Sequence, residues 1–356
     1  MFPYIFTDLG NLDFGFKKKI EAMAVNIPYD PEDIKEQLKE EFDKKVEQIA
    51  FDITDHAVKN KFKKAMESIW ERVNPLELHS KKSWDVFLST TNKLYDTLIG
   101  FYIRKVFIEL FSFSIPSKES LEEIKEFVGN QVVSEYMSGT GYWAYLMNKA
   151  GIKTIPSDIP MGIGGVDTDV YPLSKARNFM NLEIQDVMSV EVDPNRVIMM
   201  SWIPLGSNIG DNILGQMVAG QKLILVGEEK GGCTGTRSTF CMIDEYFDKI
   251  RDISIPRFVG LNDRISLYIR NSKESEVFFD PTDNFWHSNL GWHSYSSLYE
   301  WDAKDNINND YQININKDKS SKLRINYGEE IEFGDYKEAI EYAEIHSAEN
   351  QLKLKK

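Results

Sequence analysis

The chain has 356 residues, of which 42% are hydrophobic and 28% charged, ordinary globular usage that excludes a disordered, collagen-like or fibrous polypeptide. Its net charge of -14 sets up a field that repels phosphate backbones and argues against broad nucleic-acid binding. The two cysteines, Cys233 and Cys241, supply neither a disulfide framework nor a CxxC zinc pair, and fit a reducing compartment.

The N-terminal segment places its positive charges after its apolar residues and has no small-residue cleavage pattern, so no signal peptide is expected. Residues 31–73 read as one helix rich in Glu and Lys, with Pro31 suited to a first turn and Asn74-Pro75 to a stop. A second helical pattern begins near Ser83, where Trp84, Phe87, Leu88, Thr91, Leu94, Leu98 and Tyr102 recur at spacings of three and four and mark a core-facing stripe. The most apolar stretch, 98–115, contains Arg104, Lys105 and Glu109. Charges in mid-span make it a buried helix rather than a membrane span, and a cytoplasmic protein is expected. Pro116 closes this region, and Ser120 followed by Glu123 offers a capping box for a helix to about Val128.

From there short apolar runs alternate with helical ones: VVSEYM, GYWAYLMNKA, IKTIPS, RVIMMSW, NILGQMVAG, KLILVGE and TFCMIDEYFDKI. Repeated β–α alternation implies a mainly parallel sheet covered by helices on both faces. Beyond Asn271 the character changes. Tyr311, Ile313 and Ile315, and then Leu323, Ile325 and Tyr327, alternate with polar residues on either side of KDKSS, which predicts a polar, exposed hairpin. A last helix is expected from about Tyr336. Three regions result: helical 1–127, α/β 128–270, and an extension 271–356 with hairpin and helix.

The chemistry concentrates in 132–158. An apolar strand ends near Glu135, a turn follows with Gly139, Thr140 and Gly141, and a helix opens at Tyr142. Glycines let the backbone approach a ligand, and the first N–H groups of the helix favour a polar or anionic group. A second strand, 152–157, ends in Asp158, about 20 positions beyond the turn, where a carboxylate accepts from ribose hydroxyls. This fits any adenosine-containing cofactor; the alternative is a turn that only joins strand to helix.

ExxxGTG followed by a helix resembles the first motif of class I S-adenosylmethionine-dependent methyltransferases, and GTGYWA and GGCTG resemble segments of a subgroup of such proteins. The resemblance implies a Rossmann-like, seven-stranded, mostly parallel sheet flanked by helices, with S-adenosyl-L-methionine as cofactor. It implies that Glu135, Gly139, Thr140 and Gly141 line the methionine portion, that Asp158 holds the ribose, and that Asp186, after a third strand at 180–184, lies near the adenine. Met137 stands where the family usually has its first glycine.

The fourth strand, 196–202, leads into Ser201-Trp202-Ile203-Pro204, where amino-methylating members carry Asn/Asp/Ser-Pro-Pro-aromatic. Ser201 and Pro204 match in type and Ile203 interrupts, which suggests an acceptor nitrogen beside Ser201, Trp202 and Pro204; an ordinary Pro turn is the alternative. After a fifth strand at 222–227, Glu228 sits at the strand end with Gly231, Gly232 and Gly235 behind it, a candidate for substrate contact or proton acceptance, or else a solvated loop carboxylate. Cys233 has no His or Asn partner at a family spacing and is expected as a small buried hydrophobe. Residues 257–264 and 265–270 fit antiparallel sixth and seventh strands. His287 and His293, near Asp280 and Asp283, lack metal-ligand spacing, so no metal is expected, and Trp286 and Trp292 are expected to cover the edge of the core.

The functional expectation is methyl transfer to an acceptor, a protein or small molecule rather than a nucleic acid, with no membrane involvement. The alternative is a catalytically inactive scaffold of the same fold, to which Met137 and Ile203 point. A nicotinamide-dependent oxidoreductase needs a fuller GxGxxG turn than this chain supplies.

Overall fold

In the computed structural model the chain forms two compact units, Met1–Glu274 and Ser275–Lys356. The structure describes residues 29–88, 94–158, 177–185, 190–205, 209–230, 232–273, 290, 292–294, 300–316 and 319–354.

The first unit opens with α1 (Ile34–Asp52) and α2 (His56–Arg72), two helices where the sequence suggested one. The break comes at Ile53, whose backbone is extended, and at Asp55, whose carboxylate accepts the N–H groups of Ala57 and Val58 at 2.7 and 3.1 Å and caps α2. Each helix buries a stripe at spacings of four, four and three: Leu38, Phe42, Val46 and Ile49, then Val58, Phe62, Met66 and Ile69. Next come α3 (Lys81–Leu88), α4 (Leu94–Leu110) and α5 (Lys118–Val128). The cap of α5 is Ser117 with Ser120, three residues earlier than Ser120 with Glu123, because the Ser120 hydroxyl is buried and returns to the Ser117 backbone.

The α/β part runs β1 (Val133–Tyr136), α6 (Tyr142–Lys149), β2 (Thr154–Asp158), β3 (Glu183–Ile184), β4 (Val197–Ser201), α7 (Ile209–Gln216), β5 (Lys222–Gly227), α8 (Arg237–Tyr246), β6 (Phe247–Ser254) and β7 (Arg264–Arg270). These strands lie in the order β3-β2-β1-β4-β5-β7-β6. Strands β1 to β5 are parallel and β7 alone runs against them, pairing antiparallel with both β5 and β6. The expected mixed α/β architecture with a parallel-rich central sheet is therefore present, its outer strand β3 reduced to two residues. Every residue of β1 and β4 is buried, which is why β4 reads as a nearly continuous apolar run, whereas β1 carries the polar Ser134 and Glu135 into the interior.

The sixth strand departs from expectation. Residues 239–250 read as one helix, yet the helix stops at Tyr246 and an edge strand starts at Phe247, while 255–263 carries no strand. Pairing with β7 overrides the helical pattern of a segment whose strand is mostly exposed. Helices and sheet share one core: the Phe107 and Phe258 rings lie 5.6 Å apart and those of Phe111 and Tyr142 5.3 Å.

The second unit holds β8 (His293–Ser294), β9 (Glu300–Lys304), β10 (Asp310–Ile315), β11 (Ser321–Ile325), β12 (Glu330–Phe333) and α9 (Tyr336–Leu354). Its antiparallel sheet has the order β12-β11-β10-β9-β8. The hairpin is present as β10 and β11, with Ile315 opposite Ser321, but it is not exposed. Tyr311, Ile313 and Leu323 are buried in a core with Tyr336, Ala339, Ile340 and Ala343 of the helix, and the polar alternates occupy the opposite face. Trp292 belongs to this core as well. Among the described residues no helix is long and apolar enough to cross a membrane.

Candidate functional site

Register fixes where the site is assembled. Tyr136 of β1 pairs with Ser157 of β2 and Met200 of β4; Ser201 pairs with Val226 of β5, and Gly227 with Arg264 of β7. The C-terminal ends of β1, β2, β4 and β5, and the N-terminal end of β7, thus lie along one edge. In open α/β sheets this is the edge that holds ligands.

At the β1 end the chain turns sharply. Met137 has φ 58°, Gly139 59° and Gly141 73°. Gly141 is the N-cap of α6, and a Cβ there would meet the Leu182 side chain at 2.9 Å. The Gly139 N–H donates to the Asp158 carboxylate at 2.6 Å, so the glycine turn and the acidic strand tip are in direct contact. The Thr140 hydroxyl donates to the Phe111 carbonyl at 2.5 Å and is buried, a structural anchor rather than an open ligand.

Glu135 is fully buried. One carboxyl oxygen accepts the Ala144 N–H at 3.1 Å inside the first turn of α6, and the other has no hydrogen-bond partner among the described residues. Loss of solvent, and to a lesser degree the charge of Asp158, pushes its pKa up to about 8, so the group is largely a neutral acid at pH 7.

At the β4 end Trp202 also takes a left-handed backbone, with φ 54°. Thus the residue directly after β1 and the residue directly after β4 both adopt a conformation that costs a non-glycine residue about 1–2 kcal/mol, a kind of strain that gathers at ligand sites. The Trp202 ring stacks on Phe113 at 5.2 Å and 22°, and the Arg104 guanidinium lies 5.6 Å from its centroid. Ser201 is buried in the strand, and Pro204 follows partly exposed.

Glu228 is neither solvated nor open. It is 8% exposed, and its two oxygens accept backbone N–H groups from Cys233 and Asn262, each at 2.8 Å. A Cβ on Gly232 would lie 2.3 Å from the Glu228 Cβ, so this loop closes over the carboxylate only with glycine at that position. Cys233 is exposed, not a buried hydrophobe, because its backbone rather than its side chain is what the loop uses. Its thiol is pushed up by desolvation and then by Glu228, away from the reactive thiolate.

Around the first turn the structure brings together Glu135, Gly139, Thr140, Gly141 and Asp158, and around the second Ser201, Trp202 and Glu228. Asp186, His287, Asp280, Asp283, Trp286 and Gly231 lie outside the described residues, as does the His293 side chain. Sequence reasoning passed over Asp263, Arg104 and Phe113. Asp263 has a legible signal in retrospect: an acid at the mouth of a strand antiparallel to β5 must return to the strand-end edge.

No protein-family model and no curated protein sequence matches the chain. Among solved structures, magnesium protoporphyrin IX methyltransferase from Synechocystis PCC 6803 with bound SAM is 13% identical over 51% of this chain and 86% of its own, with a TM-score of 0.30. A TehB-like SAM-dependent methyltransferase from Corynebacterium glutamicum is 12% identical over 42% and 86%, with a TM-score of 0.29. A SAM-dependent O-methyltransferase from Thermotoga maritima is 8% identical over 46% and 69%, with a TM-score of 0.31. Likenesses of this size carry no information about ligand or activity.

Proposed function

We propose that the chain transfers a methyl group from S-adenosyl-L-methionine to a small-molecule or protein acceptor at this strand-end edge. The observation that carries the reading is the 2.6 Å contact between the Gly139 amide and the Asp158 carboxylate, which sets a glycine turn, a helix start and an acidic strand tip side by side. The residues at this turn suit the cofactor in type: Gly139 and Gly141 take the left-handed backbone that glycine adopts without strain, and Asp158, at the tip of β2, would accept from ribose hydroxyls. The cofactor supplies an activated methyl on a sulfonium.

What remains for the protein is alignment and exclusion of water, which demands little acid–base machinery. Gly139 and Gly141 shape the turn, and Glu135, largely neutral, braces the first turn of α6 behind it. Trp202, in contact with Phe113 and Arg104, supplies an aromatic wall at the end of β4, and Ser201 and Pro204 flank it in sequence. Glu228 ties the 232–236 loop, through the Cys233 N–H, to the segment before β7, through the Asn262 N–H.

Calorimetric titration of the purified chain with S-adenosylmethionine and S-adenosylhomocysteine tests this. Binding near micromolar is expected, weakened by about a hundredfold or more in Asp158→Ala, which loses hydrogen bonds made to a charged group. Absence of binding to protein with an unchanged melting curve would instead favour a scaffold of the same fold.

A further inference from the structure

Asp263 immediately precedes β7, and with Gly227 opposite Arg264 it stands at the same edge as Glu228, close to Trp202. Its side chain is 0% exposed, and among the described residues neither carboxyl oxygen has a hydrogen bond of ordinary geometry. The Trp202 indole N–H approaches it but is itself buried without a hydrogen-bond partner. The donor and the carboxylate are thus neighbours with no hydrogen bond of ordinary geometry between them. A buried carboxylate left in that condition is costly, and native proteins keep few of them.

The surroundings sharpen the assignment. Glu228, by contrast, already has a backbone N–H donor on each of its oxygens. Arg257 donates its Nε–H to the backbone carbonyl of Asp263 at 2.9 Å rather than to the carboxylate. Burial, and next the neighbouring Glu228, raise the acid's pKa to about 7, against the pull of Trp202, Arg104 and Arg257. A carboxyl poised there holds or releases a proton near neutrality, as a general base requires.

We propose that Asp263 receives the N–H group of the methyl acceptor, next to the Trp202 ring, and takes its proton during transfer. This assigns an acceptor of the amine or amidine class and rests on the methyl-transfer reading above. The acceptor nitrogen forms the new N–C bond with its lone pair while the C–S bond breaks and its electron pair stays on sulfur. The proton left on nitrogen passes to the Asp263 carboxylate and from there to water.

The test uses the full chain without cofactor, with benzamidine as an N–H probe and benzyl alcohol as a matched compound lacking it. Benzamidine is expected to bind, and Asp263→Asn to weaken it about tenfold or more, the loss of a charge-assisted pair. The same variant is expected to melt no lower than the parent at pH 8, because a buried uncompensated charge is removed; a purely structural carboxylate would give the opposite shift. Asp263→Ser, smaller and also neutral, carries the same binding expectation. Benzamidine bound equally by parent and variants, matched by benzyl alcohol, or not bound by the parent would overturn the proposal. S-adenosylmethionine titration of the same samples separates the two readings: if the parent takes no cofactor while benzamidine binding still depends on Asp263, the methyl-transfer reading falls and the N–H site stands alone.

Discussion

The Glu135 carboxyl links folding to pH through its enclosure. Folded, it titrates near 8, against 4.5 for an ordinary glutamate, so between those values the native chain holds a proton that the unfolded chain has released. Its contribution to stability is therefore most favourable at low pH and falls as pH rises from about 4.5 to 8, by at most about 5 kcal/mol. Glu135→Gln keeps the shape and an acceptor for the Ala144 N–H without the ionisable group. In urea unfolding it is expected to resemble the parent at pH 5 and to exceed it by a few kcal/mol, about 3 or more, at pH 8; a constant gap would place the titration elsewhere. At this scale Gly139, Gly141 and Asp158 were legible because chain order alone joins strand, turn, helix and strand. Asp263 was passed over: its place at this edge follows only when the expected antiparallel strand at 265–270 is paired with β5, a step the sequence pattern does not itself make. Glu228 was legible as a strand-end acid, but its two amide donors come from a loop that bends back through Gly232 and from the segment before β7, neither of which chain order predicts.

Among the elements, runs such as VIMM and KLILVG announced buried parallel strands because both faces of such strands are covered. Two boundaries were hidden. The α1–α2 break has neither Pro nor Gly to mark it, only Asp55 in a segment already rich in charge. Since that carboxylate satisfies two N–H groups of α2, Asp55→Ala is expected to cost about 1 kcal/mol, measurable as a lower urea midpoint with an unchanged slope. The other is the α8–β6 junction at Tyr246–Phe247, where an exposed edge strand carries enough polar residues to pass for the end of a helix. Its identity comes from β7, whose residues 264–270 pair along nearly its whole length.

At the scale of the molecule, one hydrophobic core joins the N-terminal helices to the parallel sheet, and another lies within the C-terminal unit. Leu323→Ala opens a cavity in the second and is expected to cost about 2–5 kcal/mol there, while Phe107→Ala costs about 3–5 kcal/mol in the first. In a calorimetric melt each should displace a different transition; a single transition moved equally by both would mean that the units unfold together. The fold class and the division of the chain were readable from β–α alternation and its end, whereas the fusion of helices and sheet into one core was not, because amphipathic stripes do not say what they face. That fusion reaches the glycine turn. Thr140 is bonded to the Phe111 carbonyl, the Tyr142 hydroxyl to that of Pro75 at 2.8 Å, and the Lys149 ammonium to that of Leu76 at 2.8 Å. The helices thus serve as a built-in gauge for the turn: a ligand that stiffens it will slow deuterium uptake in peptides covering 75–77 and 107–111, far along the sequence from where it binds.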